Sequence, residues 1–126
     1  DGIHLHPDIL RLTFRAKGRE KMLLVTDAME ATGLESGAYT LGGQRVYVRD
    51  GAARLASGVL AGSTLTMARG LENLMRFGFA PEDAVYMATQ APASSIGEPL
   101  LGRIVPGAPA PLTRWSRDWR MAAVIG

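Results

Sequence analysis

The apolar positions of the chain change period several times, and each change predicts a different element. Within residues 6–17, Leu10 and Phe14 fall one helical turn apart, Pro7 suits a first turn and Gly18 can close the end in a left-handed cap. A helix is predicted there. Residues 22–25 are apolar at successive positions and too short for a helix of their own. They predict a strand in a sheet covered on both faces, of the kind parallel sheets provide. In "AYTLGGQRVYVRDGAARLASG" the alternation of Arg45, Val46, Tyr47, Val48 and Arg49 between a Gly42-Gly43 turn and an Asp50-Gly51 turn predicts antiparallel hairpins with one wet face. The helical period returns after Ser63, where Met67, Leu71, Leu74 and Met75 form a stripe expected to face the core, with Ser63 or Thr64 as the cap. A further helix starts at Pro81, has Glu82 and Asp83 where the helix dipole favours acids, and must stop before Pro92. Residues 93–96 can add one more turn. The tail segments "GRIVPGAPAPLTRW" and "WRMAAVIG" predict short β segments, with Trp115 and Trp119 packing among them.

Composition narrows the class without naming a chemistry. The 126 residues are 47% hydrophobic and 21% charged, which fits one globular α/β domain of ordinary make-up. Cysteine is absent, so disulfides, thiolate metal sites and cysteine nucleophiles are excluded together. The formal charge of +2 is small. Arg11, Arg15, Lys17, Arg19 and Lys21 cluster, but they read as a solvated helix face rather than a nucleic-acid surface. No apolar run is long enough for a transmembrane helix and no signal peptide is visible, so no membrane contact is expected and cytoplasm is the favoured compartment.

Three places carry candidate chemistry. In "LLVTDAME" a carboxylate, Asp27, ends a stretch that otherwise reads as buried strand; it either caps a turn or serves a site. The opening "DGIHLHPDIL" puts two histidines and an aspartate within its first six residues, the look of a chain cut inside a site. His4 reads from its surroundings alone as a packed or exposed side chain, and His6 as a helix cap. "LAGS" is expected to be a loop whose Gly62 lets backbone approach a ligand, ahead of a helix offering free N–H groups; a plain helix cap explains Gly and Ser equally well. Gly42-Gly43 is a turn and not a phosphate cradle, because no helix follows it.

"DGIHLHP", "LLVTDAM", "LAGSTLTM", "ENLMRFGFAPEDAVYMATQAPASSIG" and "GRIVPG" stand in this order over almost the whole chain. Together they resemble the C-terminal third of the bacterial N-acetylglucosamine-6-phosphate deacetylases, members of the amidohydrolase superfamily. The resemblance implies a C-terminal fragment of a TIM-like (β/α)8 metal-dependent hydrolase barrel plus part of a small β-sandwich domain. Residues 1–33 and 59–98 would be the last strands and helices of the barrel, and residues 34–58 and 99–126 a portion of the small composite domain. It implies metal-assisted hydrolysis of the acetamide of N-acetylglucosamine 6-phosphate to glucosamine 6-phosphate and acetate. Because barrel enzymes take their catalytic groups from the C-terminal ends of strands, Asp27 would be the proton carrier. Asp1, Gly2, Ile3, His4, Leu60, Ala61 and Gly62 would contact the amino-sugar phosphate. A divalent metal, zinc or alternatively iron, is implied, but its ligands belong to earlier strands, so no metal ligand is assigned here. A homodimer is implied as well.

The chain departs from the family after "GRIVPG", where Pro109 and Pro111 replace an Ala-Asp-Leu continuation. Proline removes a ladder donor, so that strand is expected to be weakened or moved to an edge. Two barrel strands cannot close a barrel, so the isolated polypeptide is expected to be marginally folded and catalytically silent. Two alternatives differ in class. A dihydroorotase-like or deaminase-like amidohydrolase would share the strand-end aspartate and "GRIVPG" but would be expected to lack "DGIHLHP" and "LAGSTLTM" together. A non-catalytic binding or assembly module would have kept only the fold.

Overall fold

A computed structural model describes residues 1–109 and 111–125. Of the tail segments expected to be strand, Ala110 and Gly126 lie outside the described residues. The first element is helix α1 (Pro7–Lys17), capped by His6, whose Nδ1 accepts from the Asp8 backbone N–H at 3.2 Å. Pro7 occupies the first turn and the Gly18 N–H closes the last one on the Phe14 carbonyl, as the sequence predicts. A short 3₁₀ turn, Arg19–Lys21, follows.

Next comes an antiparallel sheet of four strands in sequential order: β1 (Gly37–Leu41), β2 (Gln44–Arg49), β3 (Ala52–Leu55) and β4 (Leu60–Ser63). Leu41 pairs with Gln44 and Arg49 with Ala52, so both tight turns have two residues, Gly42-Gly43 and Asp50-Gly51. All four of these residues take positive φ, which gives the two-residue turn the twist its strands need. The alternation along β2 decides the faces. Val46 and Val48 point into a small core with Met29, Ala31 and Ala53, while Arg45, Tyr47 and Arg49 face outward.

Helices α2 (Met67–Arg76), α3 (Pro81–Ala88) and α4 (Gln90–Ser95) complete the main body, and strands β5 (Leu112–Trp115) and β6 (Met121–Ile125) form a separate hairpin sheet. A second core gathers Leu74, Phe79, Ala84 and Met87, against which Leu10, Phe14, Met22, Leu24, Leu71, Met75 and Phe77 pack. Phe14 meets Phe79 edge to face, ring centroids 5.2 Å apart, a geometry that adds about 0.5–1.5 kcal/mol beyond burial. Two arginines of the basic cluster join the helices instead of standing in water. Arg11 donates to the Phe77 carbonyl at 2.8 Å, and Arg19 reaches Asp83 at 3.2 Å while lying over the Tyr86 ring.

Several expectations are corrected. Residues 22–25 form no strand: Met22 and Leu24 are half-buried against the helical core, whereas Leu23 and Val25 are 44% and 66% exposed. A strand needs neighbours on its edges, and the contacts here are few. Leu24 N–H donates to the Met87 carbonyl at 2.9 Å, and a single parallel bridge joins Ala28 to Ser63. "LAGS" is strand β4 rather than a loop, because the bulged pairing with β3 takes up its backbone. The cap of α2 is Thr66, which accepts from the Arg69 N–H, while Ser63 accepts from the Leu65 N–H and Thr64 donates to the Gly51 carbonyl. Met67, at the exposed start of α2, falls outside the core, unlike Leu74. The helix from Pro81 does stop before Pro92, but the break comes at Thr89, and Pro92 sits in the first turn of α4, where its missing N–H costs nothing. "GRIVPG" carries no strand, and Ile104 is 87% exposed. Trp115 lies in β5, whereas Trp119 lies in the turn before β6.

The helical core sets a stability test. Met87 is 2% exposed and Val124 70% exposed. Met87→Ala is expected to lower unfolding free energy by about 2–5 kcal/mol, and Val124→Ala to stay within about 0.5 kcal/mol of wild type, both read from urea denaturation curves.

Candidate functional site

Asp27 sits where two backbone ties converge. Upstream, the Leu24 N–H bonds the Met87 carbonyl on α3; downstream, the Met29 N–H bonds the Ser63 carbonyl at the end of β4, at 2.9 Å in each case. Between them the chain turns through Asp27 with φ 51°. A non-glycine residue held there costs about 1–3 kcal/mol, and aspartate is among the few side chains that tolerate it. The carboxylate is exposed, and none of the side-chain hydrogen bonds or ion pairs found among the described residues engages it. A structural turn cap would be spent on a neighbouring N–H. This one is free.

The opening segment approaches from the other side. The Asp1 carboxylate accepts from the Ile3 N–H at 3.0 Å and the His4 N–H at 3.1 Å through one oxygen, and its other oxygen meets His4 Nδ1. This folds the first four residues into a tight turn. The turn is fixed to α2 at two points. Buried Asn73 donates to the Asp1 carbonyl at 3.3 Å, and Gly2 lies so close to Phe77 that an added Cβ would stand 2.7 Å from Cζ.

Asp1, Gly2, His4 and Asp27 line one cavity of about 420 Å³. Its lining is mostly apolar, with Leu24, Leu74, Phe79 and Met87, and also includes Thr26, Asp27, Ser63 and Asn73. A concave apolar pocket with a few converging polar groups is the common form of a small-molecule site.

The other expected contacts fall elsewhere. Ile3 lines a neighbouring, more polar cavity with Asp50, Arg69 and Arg76. Leu60 and Ala61 are strand residues, Ala61 packing on the sheet core. Gly62 is held between Leu41 and Met29, its Cβ position 3.1 Å from Leu41 Cδ2. Sequence reasoning missed Asn73, which the apolar stripe of α2 conceals, although a polar residue next to Leu74 was the signal that could have shown it. Among the described residues no three His, Asp or Glu side chains gather as metal ligands, so the donor set for the implied metal does not fit within this chain. No helix of the described residues is long and apolar enough to cross a membrane.

Comparison with known proteins identifies the family. The profile of the Amidohydrolase family matches residues 1–124. The N-acetylglucosamine-6-phosphate deacetylase of Vibrio furnissii is 42% identical over 121 residues, covering 94% of this chain and 30% of that protein. The N-acetylgalactosamine-6-phosphate deacetylase of Escherichia coli is 40% identical over 109 residues, covering 85% of this chain and 29% of that protein. The crystal structure of N-acetylglucosamine-6-phosphate deacetylase from Pasteurella multocida superposes with a TM-score of 0.92 at 32% identity, covering 99% of this chain and 33% of that one. The chain thus spans about a third of the length of these relatives. The resemblance drawn from the ordered motifs is borne out, and the α/β arrangement is shared with solved deacetylases. With its profile matched from Asp1 nearly to the last residue, the chain belongs to the amidohydrolase family.

Proposed function

We propose that this chain supplies the proton carrier and part of the sugar pocket of a deacetylase acting on N-acetylated amino-sugar 6-phosphates, with N-acetylglucosamine 6-phosphate as substrate. The observation that carries the reading is Asp27: a strained, exposed and unpartnered carboxylate in the lining of a cavity. Water is a weak nucleophile toward an amide and gains strength when a base takes its proton during attack. Asp27 takes that proton as the water oxygen bonds the acetamide carbon. The same carboxylic acid then gives it to the nitrogen as the C–N bond breaks, leaving acetate and glucosamine 6-phosphate. His4 and the turn around it hold the sugar, with Leu60, Ala61 and Gly62 as the second contact.

The rest of the reading concerns the intact protein. The chain would form the last part of a (β/α)8 barrel, residues 1–33 and 59–98, and part of a small β domain, residues 34–58 and 99–126. The relatives' greater length and the half-covered segment at residues 22–25 support this. The intact protein is proposed to be a cytoplasmic homodimer. Its divalent metal, zinc or iron, would be held by residues outside this chain and would supply Lewis-acid chemistry when bound.

Two outcomes are expected for the intact protein. Asp27→Asn should lower turnover of N-acetylglucosamine 6-phosphate by roughly a thousandfold at unchanged metal content, with thermal stability kept because the residue is exposed. Turnover within about tenfold of wild type would make the carboxylate structural. N-acetylglucosamine without its phosphate should lose about tenfold to a hundredfold in kcat/KM, the equivalent of one charge-assisted hydrogen bond. Equal rates on both sugars would remove the phosphate from the reading, and N-acetylgalactosamine 6-phosphate assayed alongside sets the sugar preference.

A further inference from the structure

The turn at residues 1–4 assigns Asp1 a task different from touching substrate. Its carboxylate is already committed. One oxygen takes two backbone N–H groups, the other faces His4 Nδ1, and its side chain is 13% exposed against 37% for His4. A carboxylate only accepts hydrogen bonds, so the imidazole nitrogen facing it must carry the proton. In neutral imidazole only one nitrogen does, and the bond made by one nitrogen sets the state of the other.

We propose that Asp1 is a positioning residue that holds His4 with its proton on Nδ1, so that in the neutral ring Nε2 is bare and serves as a hydrogen-bond acceptor for a hydroxyl group of the bound sugar. The inference rests, for its kinetic arm, on the amino-sugar reading above. It also changes what His4 can do there. A bare Nε2 cannot donate to the acetamide carbonyl; it selects a ligand that presents a donor. The device is built on rigid support. Asn73, buried on α2, fixes the Asp1 backbone, and the contact of Gly2 with Phe77 prevents the turn from sliding along the helix. Orientation of the ring is thereby tied to α2 and the helical core, not to a loop alone.

Asparagine separates this task from a merely structural one. Asp1→Asn keeps an oxygen for the Ile3 and His4 N–H groups, so the turn survives. Its amide nitrogen, however, donates toward His4 Nδ1 and drives the proton to Nε2, the same tautomer reversal that follows when a histidine loses its orienting aspartate in serine proteases. Long-range ¹H–¹⁵N spectra of the intact, histidine-labelled protein at pH 8 read this directly, with the His4 signal assigned by its loss in His4→Ala. The expected result is Nδ1–H in wild type and Nε2–H in Asp1→Asn. In the kinetic arm, Asp1→Asn lowers kcat/KM by about 10–100-fold at unchanged metal content, and has less than about a twofold further effect in a His4→Ala background, since the pair acts as one unit. An Nε2–H wild type, an unchanged tautomer in Asp1→Asn, or an equal loss with and without His4 would each overturn the proposal. Should Asp1→Asn fail to fold, the wild-type tautomer decides alone. A protein with no deacetylase turnover would sink the amino-sugar reading while leaving the tautomer result standing.

Discussion

The structure depends on two backbone hydrogen bonds that clamp the segment carrying Asp27. Leu24 is tied to α3 through the Met87 carbonyl, and Met29 to β4 through the Ser63 carbonyl. Everything else is arranged on one side or the other of this clamp. Met22 and Leu24 belong to the helical core, while Met29 and Ala31 belong to the sheet core. The segment is therefore the seam between two packed bodies, and the left-handed turn at Asp27 is where the chain crosses it. A cost of about 1–3 kcal/mol at one residue is large against a whole-domain stability of about 5–15 kcal/mol. Such a conformation persists only where the surroundings over-determine it, and two hydrogen bonds with a core on each flank do so.

What could be read from the sequence was whatever local periodicity decides. The helix ending at Gly18, the start at Pro81 and the hairpins at Gly42-Gly43 and Asp50-Gly51 depend on residues within a few positions of one another, and their caps and turns are spelled out in the side chains. Residues 22–25 were a different matter. Whether an apolar run is a strand depends on partners far away in sequence, and here Leu23 and Val25 find nothing to cover them. The start of α2 was ambiguous for a different reason. Ser63, Thr64 and Thr66 all have hydroxyls able to cap, and tertiary contacts divide them: Ser63 to its own turn, Thr64 to the Gly51 carbonyl, Thr66 to the helix.

The site was legible in part. Asp27 could be picked out because a carboxylate ending an apolar run is a local contradiction, and the two backbone ties on its flanks explain why its strained turn is tolerated. His4 and Gly2 could be placed by the ordered motifs, but the commitment of Asp1 to its own turn could not, since it arises only when the chain folds back within four residues. Gly62 was read for closeness to a ligand, and the structure adds a closeness to Leu41. A glycine announces that something comes near; the sequence does not say what.

On the proposed reading, two groups that line the cavity, Asp27 and His4, differ in hydrogen-bond capacity. Asp27, a carboxylate with no partner of its own, can take a proton. His4, in the proposed pairing with Asp1 through Nδ1, offers Nε2 of the neutral ring to a donor. Attack on an amide still requires the developing oxyanion to be stabilised, and in most acyl-transfer enzymes that stabilisation lowers the barrier more than any other single effect. Neither side chain can supply it from its present partners. On the proposed reading, stabilisation of the oxyanion would come from a donor or cation other than these two side chains.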